Sequence, residues 1–207
     1  MTASEAPSVS IMIPTIARPT LLRVLGEIRP QLGAMDEILV IGDGPFPVAR
    51  KMVDGLSDPR IKYLEHGPTK NWGHSQRNFA MWQAKGSYLM SLDDDDRFSS
   101  SGLTAVRRAI AEAPDRPLMF RMHQSTGLIW EAREVRCGDV STQMFAFPNV
   151  PDKLGLWGNR YIGDIDFFTG TLALYPKDAL VWREEVIAIR GENENPSWNE
   201  SIARWNW

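Results

Sequence analysis

Along the first 123 residues, short compact apolar runs alternate with longer stretches whose apolar positions recur every three or four residues. The first pattern suits a buried strand and the second an amphipathic helix. Residues 9–13 form the first such run, ending at Pro14-Thr15, and 19–28 follow with helical spacing behind a proline suited to a first helical turn. A second strand is expected over 37–41, stopped by the turn-forming Gly42-Asp-Gly-Pro45, with a helix over 48–56 behind it. Strand 61–64, helix 75–85, strand 87–92, helix 103–113 and strand 117–122 continue the series. Strands separated by helices imply an α/β fold with a mostly parallel sheet, covered on both faces through right-handed crossovers.

The pattern changes after residue 123. Residues 128–135 and 140–147, joined through Cys137-Gly-Asp139, read as an antiparallel pair, a small β addition to the main sheet. Beyond them the spacing predicts a loop-rich stretch to Gly163, an apolar strand over 167–175, a short helix starting near Lys177, and an acidic tail rich in tryptophan. With 207 residues and no internal repeat or linker, one domain is expected. Its plan is a short mobile tail over 1–8, a ligand-binding half over 9–123, and a half over 124–207 that covers the sheet.

Composition narrows the classes. A hydrophobic share of 43%, a charged share of 24% and eight tryptophans fit a globular chain, not a disordered one. No apolar stretch approaches the roughly 20 residues of a membrane span. The N-terminus has neither a basic nor an apolar leader segment, which points away from secretion. The single cysteine, Cys137, rules out an intramolecular disulfide and suits a reducing, cytoplasmic setting. A net charge of -3 gives no general attraction to nucleic acid or anionic membrane.

The chemistry concentrates at strand ends. Four consecutive aspartates, Asp93 to Asp96, close the apolar run 86–92. Carboxylates delivered to the C-terminal end of a buried strand stand in the crevice where open α/β sheets bind ligands. Hard oxygen ligands of this kind suit Mg²⁺ or Mn²⁺, with coordination positions left for water and phosphate. Four ionised carboxylates this close also repel one another and raise some of their pKa values. Arg77 and Asn78 open a helix behind a glycine-containing loop, and a helix N-terminus with a fixed cation is an anion site. Pro14 and Thr15 can bracket a base or ribose, and Arg18 can reach toward phosphate.

Four segments carry a resemblance: Val9-Ser-Ile-Met-Ile-Pro-Thr-Ile-Ala-Arg-Pro19, Glu37-Ile-Leu-Val-Ile-Gly-Asp-Gly44, Asn71-Trp-Gly-His-Ser-Gln-Arg-Asn78 and Leu92-Asp-Asp-Asp-Asp96. In this order and spacing they resemble successive blocks of the family 2 glycosyltransferases of GT-A fold. The resemblance implies an enzyme that moves a sugar from a nucleotide diphosphate sugar to an acceptor hydroxyl, with inversion and a metal ion. It implies a Rossmann-like donor half in which Pro14, Thr15, Arg18, Asp43, Arg77, Asn78, Asp93 and Asp94 bind the donor. In the family's Asp-x-Asp pattern, Asp95 would hold the cation, with Asp93 near ribose or a metal-bound water. One departure stands out: the family usually carries a further aspartate where this chain has Gly42. The donor base therefore stays open among uracil, guanine and thymine, with Asp43 able to serve from next door.

An inverting displacement needs a carboxylate beside the attacking hydroxyl, which in the family is commonly the aspartate of a Glu-Asp pair opening a late helix. Glu194 is the first candidate and Glu192 the second, both in Gly191-Glu-Asn-Glu-Asn-Pro-Ser-Trp198. Asp166, in Gly163-Asp-Ile-Asp166, is the third. The acceptor could be a glycan, a lipid-linked sugar, a protein or a modified DNA base. Acidic residues outnumber basic ones from Arg121 onward, so no basic surplus points to DNA. Two rivals remain: a sugar nucleotidyltransferase, for which 14–19 lacks a glycine-rich triphosphate loop, and a non-catalytic nucleotide- or carbohydrate-binding module.

Overall fold

The computed structural model describes residues 7–124, 127–129 and 133–191. Strand β1 (Val9–Thr15) is buried at all seven positions, as expected of a run apolar on both faces in the middle of a parallel sheet. It pairs in parallel with β2 (Glu37–Asp43) on one side and β4 (Tyr88–Ser91) on the other, and β2 pairs in parallel with β3 (Ile61–His66). The register sets Thr15 against Gly42 and Met12 against Ser91, so β1, β2 and β4 finish side by side.

Past β4 the sheet reverses. β8 (Phe145–Pro148) runs antiparallel to β4 and to β6 (Leu118–Gln124), β9 (Val181–Ile189) is parallel to β6, and β5 (Arg97–Phe98) is antiparallel to β9. Among the described residues the order is β3-β2-β1-β4-β8-β6-β9-β5, with β7 (Gly127–Ile129) off the path on β6. The flanking helices are α1 (Leu21–Ile28), α2 (Pro47–Gly55), α3 (His74–Met81), α4 (Gly102–Glu112) and α5 (Gly163–Leu172). In α1 the buried residues Leu21, Val24, Leu25 and Ile28 form one stripe at helical spacing, the face that docks on the core.

The first half follows its expected order of elements, and the second departs from it three times. Of the apolar stretch expected as a strand over 167–175, residues 167–172 belong to α5 and 173–175 to the turn after it. Asp164 and Asp166 lie in its first turn, where carboxylates favour a helix, and its apolar side chains are drawn into an aromatic cluster. There Phe167 lies flat on Trp157, centroids 3.7 Å apart at 6°, and meets Phe145 and Phe147 at 5.2 and 5.4 Å. The helix expected near Lys177 is absent among the described residues, where the nine-residue β9 follows instead. The expected pairing of 128–135 with 140–147 is not found among the described residues either. β7 joins β6, β8 joins β4 and β6, and Cys137 meets Val140 only in an isolated bridge.

Candidate functional site

The acidic run lies just past the C-terminal end of β4, next to the ends of β1 and β2. Leu92 N still bonds Met12 O at 3.0 Å, and a tight turn follows in which Asp96 N reaches Asp93 O at 3.3 Å. The turn gives each carboxylate a different partner. Asp94, fully buried, accepts from Thr15 Oγ1 at 2.5 Å and pairs with Arg18. Asp93 is held on one oxygen by Arg77 and on the other by Gln143 Nε2 at 2.7 Å. Buried Asp96 accepts from Gly191 N at 3.0 Å. Among the described residues, Asp95 has only Arg18 Nε at 3.6 Å and its own backbone amide.

Burial pushes the carboxyl pKa values of Asp94, Asp95 and Asp96 up. Arg18 opposes the shift at Asp94 and Asp95, and the charge of Asp93 adds to it at all three. Crowded carboxylates with this tendency are stabilised by a cation. The described residues contain no cluster of three or more His, Cys, Asp or Glu side chains arranged to hold a metal. An all-protein cage, of the kind Ca²⁺ favours, is therefore absent from them. A single available carboxylate completed by substrate phosphate and water is how Mg²⁺ is commonly bound, and Asp95 fits that part.

Arg77, in the first turn of α3, is buried and bonds Ser91 Oγ at 3.0 Å, Trp72 O at 2.8 Å and Asp93. Its approach depends on the loop before the helix. Lys70, Trp72 and Gly73 all have left-handed backbones, with φ of 52°, 58° and 77°. A Cβ on Gly73 would stand 2.6 Å from Pro14 Cβ, so only glycine lets this loop lie against the end of β1. Asp43 anchors the same loop: Oδ1 accepts from Thr69 N at 2.6 Å and Gln76 Nε2 at 2.7 Å, and Oδ2 accepts from Lys70 N at 3.0 Å. Gly42 also has a steric reason, since a Cβ there would sit 2.3 Å from Tyr63 Oη.

Of the sequence-selected residues, Pro14, Thr15, Arg18, Asp43, Arg77, Asp93, Asp94 and Asp95 thus converge on one end of the sheet. Asn78 faces elsewhere and exchanges hydrogen bonds with the Trp157 main chain at 2.9 and 3.0 Å, fastening α3 to the loop before α5. Glu192 and Glu194 lie outside the described residues. Asp166 is tied up by an ion pair with Arg160, which lowers its pKa. Its neighbour Asp164 is different: burial raises its pKa, and it lies within the electrostatic reach of Arg77 and Asp93. His74, buried at the start of α3, bonds Arg160 O through Nε2 at 3.1 Å and packs against Gly163. Burial first, then Arg77, lowers its pKa to about 4, so it is neutral at pH 7. Gln143, Ser91 and Gly191 escaped the sequence reading, which took in the segment Gly163-Asp-Ile-Asp166 but chose Asp166 from it. Asp164 carried the same signal there as Asp166, an acid just before an expected element.

The profile of glycosyl transferase family 2 matches residues 10–180. The chain belongs to this family. This family 2 member is 30% identical over 109 residues to a Campylobacter jejuni GalNAc(5)-diNAcBac-PP-undecaprenol beta-1,3-glucosyltransferase, covering 51% of the chain and 35% of that protein. It is also 30% identical over 152 residues to the Escherichia coli putative colanic acid biosynthesis glycosyl transferase WcaA, covering 70% of the chain and 49% of that protein. It therefore spans half or less of these relatives. Its fold is that of Staphylococcus aureus TarS (TM-score 0.73, 13% identity, 89% of this chain and 60% of that one). The mannosyltransferase PcManGT of Pyrobaculum calidifontis, solved with GDP-Man and Mn²⁺, superposes at a TM-score of 0.68 with 14% identity, over 97% of this chain and 61% of that one. At these identities the likeness establishes the GT-A fold of the family 2 domain and nothing about its substrates.

Proposed function

We propose that this chain is the catalytic domain of a metal-dependent, inverting glycosyltransferase that moves a sugar from a nucleotide diphosphate sugar to an acceptor hydroxyl. The observation that carries this reading is the convergence of Thr15, Arg18, Arg77 and the Asp93–Asp96 turn at adjacent strand ends, where an α/β sheet binds nucleotides. TarS has been solved with UDP-GlcNAc and PcManGT with GDP-Man and Mn²⁺, which supports a nucleotide sugar and a divalent ion here. In this reading the donor lies over the ends of β1, β2 and β4. Asp95 would hold Mg²⁺ or Mn²⁺, which when bound supplies positive charge at the diphosphate oxygens as they leave. Arg18 and Arg77 add fixed positive charge beside the same group and orient Asp94 and Asp93.

Asp164 is the base we favour. Its raised pKa and its place in the first turn of α5, within the field of Arg77 and Asp93, suit a carboxylate that takes the proton from an attacking hydroxyl. That base displaces Asp166 from the candidates, because Arg160 occupies the Asp166 carboxylate. Asp43 is better explained as the anchor of the 69–73 loop than as a reader of the donor base. The relatives' names, one for an undecaprenol-diphosphate-linked glycan and one for colanic acid, favour a saccharide acceptor. A cytoplasmic setting agrees with the lone, exposed Cys137, and no helix among the described residues is long and apolar enough to cross a membrane.

The test is incubation with UDP-, GDP- and dTDP-sugars and Mn²⁺ while nucleotide diphosphate release is followed. Asp164→Asn should lower turnover at least about 100-fold while calorimetry shows donor affinity retained. Full activity in that variant would return the base to Glu192 or Glu194. No release from any donor would leave a binding module as the better account.

A further inference from the structure

We infer that Gln143 is a positioning residue for donor binding: it fixes the plane of the Asp93 carboxylate from the side opposite Arg77. The inference rests on the glycosyltransferase reading above and assigns a role to a residue outside all four motif segments. Gln143 lies on the short 3-10 turn Thr142–Met144 that leads into β8, and it is buried. Its Nε2 donates to Asp93 Oδ2 at 2.7 Å, while Arg77 Nη2 donates to Oδ1. Ser141 Oγ donates to Gln143 Oε1, which leaves the amide NH₂ as the end that faces Asp93. A carboxylate only accepts, so the polarity of this chain of bonds is consistent throughout.

The turn that carries Gln143 is braced by the aromatic cluster. Trp157 Nε1 reaches Thr142 Oγ1 at 3.5 Å, the Trp157 main chain is held by Asn78, and its ring lies on Phe167 of α5. Asp93 is therefore gripped by one donor from α3 and one from the second half of the chain. Arg77 alone would supply charge but leave the carboxylate free to turn about the one oxygen it holds. With the second donor, Asp93 keeps a fixed face toward the crevice, and its remaining lone pairs are available to ligand.

The experiment compares Gln143→Met and Gln143→Glu by calorimetry with UDP- and GDP-sugars in the presence of Mn²⁺, alongside thermal unfolding without ligand. Gln143→Met keeps the volume and removes the donor, so donor Kd should rise about 10-fold, the lower end for a bond to a charged group. Gln143→Glu is the closer isostere yet sets a carboxylate against Asp93, so it should bind donor more weakly still. Asp93→Asn added to Gln143→Glu re-forms an amide–carboxylate bond of reversed polarity and should recover much of the melting temperature that Gln143→Glu loses. A residue that only fills space would show the opposite order, with Gln143→Glu milder than Gln143→Met. If Gln143→Glu does not fold, Gln143→Met decides alone, and an unchanged Kd overturns the inference. If the wild-type protein binds no nucleotide sugar, the glycosyltransferase reading itself fails and this role falls with it. If wild type binds and the two variants match it, only the role of Gln143 falls.

Discussion

Replacing His74 by glutamine tests how the two halves of the site are latched together, because the imidazole joins the start of α3 to the loop that leads into α5. Its Nε2 bonds Arg160 O at 3.1 Å, and its ring fills the space left by Gly163. Burial, helped by the charge of Arg77, lowers its pKa from 6.5 to about 4. The folded protein therefore resists protonating a side chain that the unfolded chain protonates readily. Stability from this group is complete above pH ~6.5 and is lost as the pH falls toward ~4. Linkage gives a loss of about 2 kcal/mol at pH ~5 and about 3 kcal/mol at pH ~4 relative to neutral pH. For a domain of this size that is about 4–8 °C in melting temperature at pH ~5. Glutamine can offer an amide donor to Arg160 O but has no proton to gain, so His74→Gln should lack this part of the acid sensitivity. The measurement is thermal or urea unfolding of both proteins at pH ~7 and ~5, taken as a difference of differences so that other titrating groups cancel. Parallel pH profiles for the two proteins would refute the assignment of a buried neutral imidazole to the latch.

Three further outcomes are expected. Asp95→Ala should abolish metal-dependent donor binding in calorimetry while leaving the melting temperature within a few degrees, because its one ion pair among the described residues is a long one, 3.6 Å to Arg18 Nε; unchanged binding would refute its role. Gly73→Ala should cost about 2–3 kcal/mol in urea unfolding, combining a left-handed φ of 77° with a methyl placed 2.6 Å from Pro14 Cβ. Trp157→Ala should cost about 3–5 kcal/mol, since it empties a buried site stacked 3.7 Å from Phe167; a loss below ~1 kcal/mol would show that α5 does not depend on the stack.

The first half was legible because its strands carry uninterrupted apolar runs and its candidate site residues come immediately after them. Val9–Thr15, Glu37–Asp43 and Tyr88–Ser91 are each buried along nearly their whole length, and their ends deliver Thr15, Asp43 and the aspartates. The second half obeys a different logic. In β9 the charged residues Arg183 and Glu185 are matched by Glu112 and Arg108 of α4 and its last turn, so a strand that reads as polar is stabilised by ion pairs a linear pattern does not show. Gly163-Asp-Ile-Asp166 reads as two equivalent acids, yet residues two apart on a helix point about 200° from each other. One is buried within the field of Arg77 and the other pairs with Arg160, which no spacing rule could assign. Gln143 was invisible for a related reason: its partner lies 50 residues away, and a lone amide before an apolar run carries no signal of its own.

Charge explains why the site would take its ligands together. Four carboxylates crowd this partly buried turn, with Arg18 beside Asp94 and Asp95, Arg77 on Asp93, Arg23 on the Asp95 main chain and Arg190 acting on Asp96. Burial and mutual repulsion hold Asp94, Asp95 and Asp96 back from ionising. A diphosphate arriving alone would add charge of the same sign, and a divalent ion arriving alone would find one available carboxylate, Asp95. Arriving together, each would relieve the other: the ion offsets the like charges of carboxylate and diphosphate, and the diphosphate supplies oxygen ligands that the described residues lack. Arg18 pairs with Asp94 and Arg77 with Asp93, and Asp95, with Arg18 Nε at 3.6 Å, is the more loosely held carboxylate that would face the ion.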